Sequence, residues 1–456
     1  MTTAEDGAQG WSGRVSFTPG GEPIAYRPRE IIILDTEASR NRLLRTVRTN
    51  GRQPSGDEIT FEAPRAGERR EGNPVAAYVV ARNVADPQVV VQQLRTAGVD
   101  AQLNHVLFAH CGTGCCEPHP AAAAGVTGSP VYATPVYATP VYATPVYATP
   151  VYATPVYATP VYATGHEKAT GLRRSSARCV GAAEAAEARA RLETVAQFAA
   201  GGDADVVIID TGEPQQGFDP GPQGMQNPGS DPTDRPDADA DDRLDPCAGH
   251  GRFIQGLVKQ LAPAAGVVVR QAIEPEGDGD EASIAALIGD LPDAPERGAI
   301  LNLSFGGYVL DTDGLLLAKA IADLQARGWV VVASAGNDGT CRRTYPAALP
   351  GVISVGAIGP HGPAPFTNYG PWVRACAPGV DLVSTFLGEF DGDSETGPLT
   401  GWVRWSGTSF SAPVVTGALI QEAIVRGITV QEAVRRIIDA EGLLRLHNLG
   451  TVVNRL

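Results

Sequence analysis

Five short, almost uninterrupted apolar runs punctuate the C-terminal part of the chain: DVVIID (205–210), VVVRQAI (267–273), AILNLSFG (299–306), WVVVASAG (329–336) and VISVGAI (352–358). Runs without a polar face belong to strands covered on both sides. Between them lie helical stretches, HGRFIQGLVKQL (250–261), EASIAALIGD (281–290) and DGLLLAKAIADLQARG (313–328), and AAEAAEARARLETVAQF (182–198) precedes them all. Strands that alternate with helices call for a parallel sheet with right-handed crossovers and helices packed on it. The pattern therefore predicts one large α/β domain over residues 182–456 with a mostly parallel sheet.

A smaller α/β unit is expected at 73–110. PVAAYVVARN reads as a strand, DPQVVVQQLRTAG as a helix with Asp86 at the N-cap and Pro87 in its first turn, and DAQLNHVLFA as a second strand. So short a unit buries little surface and has to dock onto something larger. Residues 1–72 are polar and rich in Gly and Arg apart from Ile31-Ile32-Ile33-Leu34. Residues 111–181 comprise a Cys/His-rich segment, a repeat linker at 130–164 and a basic connector. In that linker PVYAT recurs seven times without an error. Proline at every fifth position forbids a regular helix and removes donors from a central strand. An extended spacer on the order of 100 Å follows, at about 3.1 Å per residue; seven identical tyrosines offered to a partner are the alternative use.

Charge and cysteine content exclude several classes. A net charge of −15 argues against nucleic acid, whose phosphates require a basic face. No uninterrupted apolar stretch approaches the roughly 18 residues of a membrane span. The opening residues lack the basic start and apolar core of a signal peptide. Seven cysteines in so long a chain do not read as a disulfide-stapled secreted scaffold. The expectation is a cytoplasmic protein with no nucleic-acid or membrane partner.

Three polar residues stand where strands end and helices begin. Asp210 closes a strand, followed by Thr-Gly; His250 opens a helix after Ala-Gly; Ser409 follows a tight Gly-Thr turn into another helix. In an open parallel sheet these ends face one crevice. Asp, His and Ser together suggest a nucleophilic triad: a serine hydroxyl needs a base, imidazole is the usual one, and a carboxylate sets its tautomer. Ser409 also gains the unpaired N–H groups and positive dipole of a helix start. Asn337, just past a strand end, is placed to donate to an oxyanion. Pro413 is expected to be tolerated as a first-turn residue.

Asp-Thr-Gly at 210, Gly-His-Gly at 249–251, Asn-Leu-Ser-Phe-Gly-Gly at 302–307, Ala-Gly-Asn at 335–337 and Gly-Thr-Ser-Phe-Ser-Ala-Pro at 407–413 resemble, in order and spacing, the motif set of the subtilisin-like serine peptidases. The resemblance covers about residues 195–456. It implies a subtilisin-like three-layer domain and a serine endopeptidase acting on protein or peptide substrates. In that scheme Ser409 is the nucleophile, His250 the base, Asp210 the orienter and Asn337 the oxyanion-hole donor. Ser304, Phe305 and Gly306 line the substrate cleft and pair with an extended peptide. It also implies that the unit at 73–110 is propeptide-like and that the N-terminal region acts as an inhibitor until a cut between Gly165 and Ala200.

Two departures stand out. Arg252 occupies a position where the family usually carries threonine, which puts the usual substrate preference in doubt. Forty positions separate Asp210 from His250, and the acidic insert DPTDRPDADADD lies between them. The chemistry requires no cofactor and no metal ligand is assigned, although clustered carboxylates are compatible with calcium or with selection of basic substrates. His105, His110, Cys111, Cys115, Cys116 and His119 crowd together without matching a zinc-ligand template. Cys247 is expected to be a buried thiol.

Other hydrolase patterns fit less well. The elbow Gly-x-Ser-x-Gly fails at Ser411. The second function class is a catalytically silent or permanently inhibited peptidase fold serving as a peptide-binding scaffold. Filled catalytic positions favour the enzyme, specifically a latent, restricted processing protease.

Overall fold

A computed structural model of the chain describes residues 15–17, 24–50, 58–63, 72–109, 178–179, 185, 187, 205–215, 229–238, 244–309, 316–390 and 399–454. They lie within a unit formed by Gly10–Glu117 and Arg173–Leu456. A second unit, Met1–Gln9 with Pro118–Leu172, falls outside the described residues, as do the PVYAT repeat, the Cys/His cluster beyond His105 and most of the helix expected at 182–198.

The N-terminal elements are β1 (Ala25–Leu34), α1 (Glu37–Asn50), β2 (Thr60–Glu62), β3 (Tyr78–Arg82), α2 (Pro87–Thr96) and β4 (Ala101–Ala109). They form an antiparallel sheet in the order β4-β1-β3-β2. The small α/β unit is therefore not confined to 73–110: its central strand and first helix come from the region expected to be merely polar. The run Ile31-Ile32-Ile33 explains the placement. Ile31 and Ile33 pack with Leu43, Val47, Val90 and Leu94 of the two helices, whereas Ile32 joins the core of the larger unit. A strand covered on both faces needs apolar residues at consecutive positions. Asp86 stands at the N-cap of α2 with Pro87 after it, as expected, but in a left-handed conformation (φ 49°) and without a side-chain capping hydrogen bond.

The larger unit contains β5 (Val206–Asp210), β6 (Glu213–Pro214), β7 (Pro232–Asp234), α3 (His250–Leu261), β8 (Val267–Gln271), β9 (Asp278–Asp280), α4 (Glu281–Asp290), β10 (Ala299–Leu303), β11 (Phe305–Gly306), α5 (Leu316–Ala326), β12 (Trp329–Ser334), β13 (Ile353–Gly359), β14 (Ala375–Pro378), β15 (Leu382–Phe390), β16 (Leu399–Trp405), α6 (Thr408–Arg426) and β17 (Gly450–Val452). Its main sheet runs β8-β5-β10-β12-β13-β14-β17, with each neighbouring pair parallel. The five apolar runs supply β5, β8, β10, β12 and β13, and the three helical stretches supply α3, α4 and α5. Helices α3 and α6 pack on each other and on the sheet; α4 and α5 form a second pair that also meets the small unit. Among the described helices α6 alone has the length and mean hydropathy (19 residues, 1.2) of a membrane span, and 78% of that window is buried within the fold.

The two units share a sheet. β4 lies between β9 and β11 and pairs antiparallel with both: Asp278 faces Phe108 and Asp280 faces Val106, while Phe305 faces Ala109 and Gly306 faces Phe108. The Ala109 N–H also donates to the Gly277 carbonyl at 2.9 Å. Polar side chains complete the contact. His105 Nδ1 lies 2.7 Å from Glu281 Oε2, Gln102 Oε1 accepts the Leu316 N–H at 3.1 Å, and Asn73 Nδ2 donates to Asp290 at 2.6 Å.

Candidate active site

β5 is driven into the core by Val206, Val207, Ile208 and Ile209, and that burial delivers Asp210 to the carboxyl end of the sheet. α3 begins at His250 after Gly249, whose φ of 76° and close approach to Phe386 leave no room for a side chain. The two ends meet: His250 Nδ1 lies 2.7 Å from Asp210 Oδ1, with both side chains fully buried. Asp210 Oδ1 also accepts the Thr211 N–H at 2.8 Å. A carboxylate held in this way fixes the imidazole so that Nε2 is its reactive nitrogen.

The His250 ring packs against aromatic side chains. Trp405 meets the imidazole edge-on with centroids 5.6 Å apart, and Phe410 lies 5.3 Å away, backed by Phe253. These rings keep water from the His250–Asp210 bond, and a charge interaction is stronger in such low-dielectric surroundings. Trp402 and Trp405 are both buried, and Trp405 lies 5.2 Å from Phe410.

Ser409 stands in the first turn of α6, but its hydroxyl is engaged elsewhere. Its Oγ donates to the Ser304 carbonyl at 2.8 Å, and His250 Nε2 has no hydrogen-bond partner among the described residues. The engagement is reciprocal, because Ser304 Oγ donates to the Ser409 carbonyl at 2.8 Å. Pro413 explains why that carbonyl is available. It lies inside α6 rather than in the first turn, and it lacks the N–H that would bond four residues back to Ser409. Ser304 is in turn held by Asn302 Nδ2 at 2.9 Å, and Asn302 by Thr416 at 3.0 Å. A polar chain thus fastens the segment expected to line the cleft to the first turn of α6.

Asn337 follows β12. Its Oδ1 accepts the Thr408 N–H at 2.9 Å and the Thr408 hydroxyl at 2.8 Å, which turns the amide so that Nδ2 is its other end. Of the three residues expected to line a cleft, Ser304 bonds Ser409, while Phe305 and Gly306 pair with β4. β9, on the other edge of β4, carries no motif that marked it in the sequence; only its pairing with β4 reveals it.

Arg252 does not present its charge to solvent. It is fully buried, donates to Glu213 Oε2 at 3.1 Å and to Gln255 Oε1 at 2.9 Å, and ties α3 to β6. The described part of the acidic insert also serves the framework. Asp231 accepts the Gln271 N–H at 3.0 Å, the Ala238 N–H donates at 2.6 Å to Asp245 beyond the insert, and Asp234 is wholly buried beside Thr211. Among the described residues no group of three or more His, Cys, Asp or Glu gathers as for a metal. Cys247 is disulfide-bonded, correcting the expected thiol, whereas Cys341 and Cys376 are free and burial pushes the Cys376 thiol up to about 12.

Comparison with known proteins agrees with these motifs. A family model described as the subtilase family matches residues 208–439, just over half of the chain. The chain is 32% identical over 179 residues to a thermophilic serine proteinase of Bacillus sp. (strain AK1), covering 37% of this chain and 41% of that protein. It is 30% identical over 182 residues to subtilisin DY of Bacillus licheniformis, covering 37% and 61% respectively. The chain thus spans less than two thirds of the length of either relative. Among solved structures, a cold-adapted subtilisin-like serine proteinase aligns with a TM-score of 0.42 at 22% identity, over 56% of this chain and 92% of that one. With a family match over most of the larger unit, and five motifs in order at the ends of its strands and helices, the chain belongs to the subtilase family.

Proposed function

We propose that the protein is a serine endopeptidase whose cleft is held by its own small unit until a cut releases it. The observation that carries this is the buried His250–Asp210 bond next to the helix start that bears Ser409. In the reaction, Ser409 Oγ leaves the Ser304 carbonyl, gives its proton to His250 Nε2 and attacks the scissile carbonyl carbon. The oxyanion that forms takes a hydrogen bond from Asn337 Nδ2. The tetrahedral species collapses with cleavage of the C–N bond as His250 returns the proton to the leaving amine. Water, deprotonated by the same imidazole, then hydrolyses the acyl-enzyme. None of these steps calls for a cofactor.

The substrate is an extended peptide that adds a strand between β9 and β11, the position β4 now holds. The antiparallel register supports a specific self-cleavage site. Ala109, the last described residue of β4, faces Phe305, the neighbour of Ser304, whose carbonyl accepts the Ser409 hydroxyl; counting one residue on along the chain, the cut is assigned to the His110–Cys111 bond. This register favours that bond over the expected window of 165–200. Leu107 and Ala109 join the core of the larger unit, whereas Val106 and Phe108 pack with Ala25, so peptides with Leu and Ala at alternate positions suit the groove. A protease whose cleft is filled by its own strand fits restricted processing of one partner or precursor.

One observation favours a silent scaffold as the second reading: the Ser409 hydroxyl is bonded to Ser304 and His250 Nε2 has no partner among the described residues. Intact-mass analysis of wild type beside Ser409→Ala decides between them. Fragments ending at residue 110 in wild type, with an uncut variant, are expected. If both chains stay whole and neither cuts a peptide of sequence VLFAHCGT, the peptidase reading fails.

A further inference from the structure

The insert between Asp210 and His250 brings a second carboxyl group to the triad, one the hydrolytic scheme leaves unused. Asp234 closes β7 and is fully buried. Its Oδ2 accepts the Thr211 hydroxyl at 2.6 Å and the Gly249 N–H at 3.0 Å. Thr211 Oγ1 accepts the Gly251 N–H at 3.0 Å, and the Thr211 N–H holds Asp210 Oδ1 at 2.8 Å. Through two hydrogen bonds and one relay, Asp234 grips the residue after Asp210 and the residues on both sides of His250.

The surrounding backbone shows how closely these turns are pressed together. A Cβ at Gly251 would lie 2.8 Å from the Gly212 carbonyl oxygen, and one at Gly212 would lie 2.9 Å from the Asp231 carbonyl oxygen. Burial pushes the Asp234 carboxyl well above the usual carboxylate range, with the Asp210 charge adding to this, while the bonds from Thr211 and Gly249 pull the other way. A buried carboxyl carries a desolvation cost that a packing residue of the same size would not. Here it meets backbone donors of the two turns that carry the acid–base pair.

We infer that Asp234 is a positioning residue of the triad, setting the separation of Asp210 and His250 through Thr211. The inference rests on the peptidase reading above. Its leverage is geometric: displacement of a catalytic group by about 1 Å can cost about 100-fold in rate. Asp234→Asn keeps a carbonyl oxygen to accept both bonds, whereas Asp234→Ala removes them, so the two variants separate position from charge.

The test uses the full chain and the peptide VLFAHCGT. Asp234→Ala is expected to lower kcat by about 10- to 100-fold with KM unchanged, and Asp234→Asn to restore most of it. Thr211→Val should match the alanine variant, and the double variant should be no slower than either, because both cut one relay. A second readout is independent of turnover: the downfield proton resonance of the His250 Nδ1–H bond, assigned by its loss in His250→Gln. It should persist in wild type and Asp234→Asn and broaden or shift in Asp234→Ala. If Asp234→Ala fails to fold, Thr211→Val beside Asp234→Asn carries the same comparison. Wild-type kcat together with an unchanged resonance in the alanine or valine variant overturns the inference, even if the melting temperature falls. Hydrolysis that survives Ser409→Ala, or no turnover by wild type, sinks the peptidase reading instead, and the resonance then decides the role of Asp234 alone.

Discussion

Two buried imidazole–carboxylate pairs, His105–Glu281 and His250–Asp210, share one geometry. Nδ1 lies 2.7 Å from a carboxylate oxygen in each, and in each Nε2 has no hydrogen-bond partner among the described residues. Their neighbourhoods differ. Beside His250, Phe410 of the first turn of α6, the residue after Ser409, lies 5.3 Å from the ring. His105 sits on β4 opposite Tyr26, and its carboxylate partner opens α4 and takes the Leu317 N–H at 3.0 Å. A carboxylate is well placed at a helix N-terminus, so this pair clasps the small unit to α4 and α5. The same imidazole–carboxylate bond thus serves as a clasp between elements at His105, whereas at His250 it is the acid–base pair of the proposed reaction.

The comparison breaks most visibly at the base. His250→Ala should slow both self-cleavage and peptide hydrolysis by about 10⁴-fold or more, measured in single-turnover assays, whereas His105→Ala should leave kcat of the cut enzyme within about twofold. Equal losses would mean that the two pairs are not functionally distinct. Next comes docking. Removing His105 leaves Glu281 buried without its partner, at a cost of about 3–5 kcal/mol. Denaturant unfolding of the uncut Ser409→Ala chain, with and without His105→Ala, reads that difference. A gentler version is Glu281→Gln, which keeps a hydrogen bond and loses the charge; about 1–2 kcal/mol is expected by the same measurement.

The smallest effect concerns Asp234. Burial raises its folded-state pKa, so the native state holds that proton more tightly than the unfolded chain. The resulting stabilisation is complete below the ordinary carboxyl value of 3.8 and is lost as pH rises through the folded-state value. Asp234→Asn should remove that part of the slope, leaving stability flatter from acidic to neutral pH in melting curves. An unchanged slope would assign the pH dependence to other groups.

The larger unit was legible because its strands are covered on both sides and its helices are regularly apolar. The meeting of Asp210 and His250 was legible because chain ends at a parallel sheet converge; Ser409 opens a helix as expected, but its hydroxyl bonds Ser304, which no motif indicated. The small unit was only half legible. β1 includes Pro28 and a register irregularity between Tyr26 and Ile31, while α1 is dominated by arginine and buries little beyond Leu43 and Val47. Its apolar run Ile31–Ile33 carried the signal, but a short run alone does not say which sheet it joins. Asp234 lay inside an acidic stretch whose composition suggested solvent or cations. Only the fold shows one of its carboxyl groups turned inward beneath Thr211.

Strand β4 has hydrogen-bonded neighbours on both edges where it passes between β9 and β11. Its amide protons at residues 106–109 can reach solvent only when ladders belonging to two units open. In the uncut chain they should therefore exchange with deuterium at the pace of large-scale opening rather than of local fraying. If the proposed cut frees the small unit, the same stretch loses both neighbours and should exchange fast, so its exchange clock separates a strand that is released from one that stays docked.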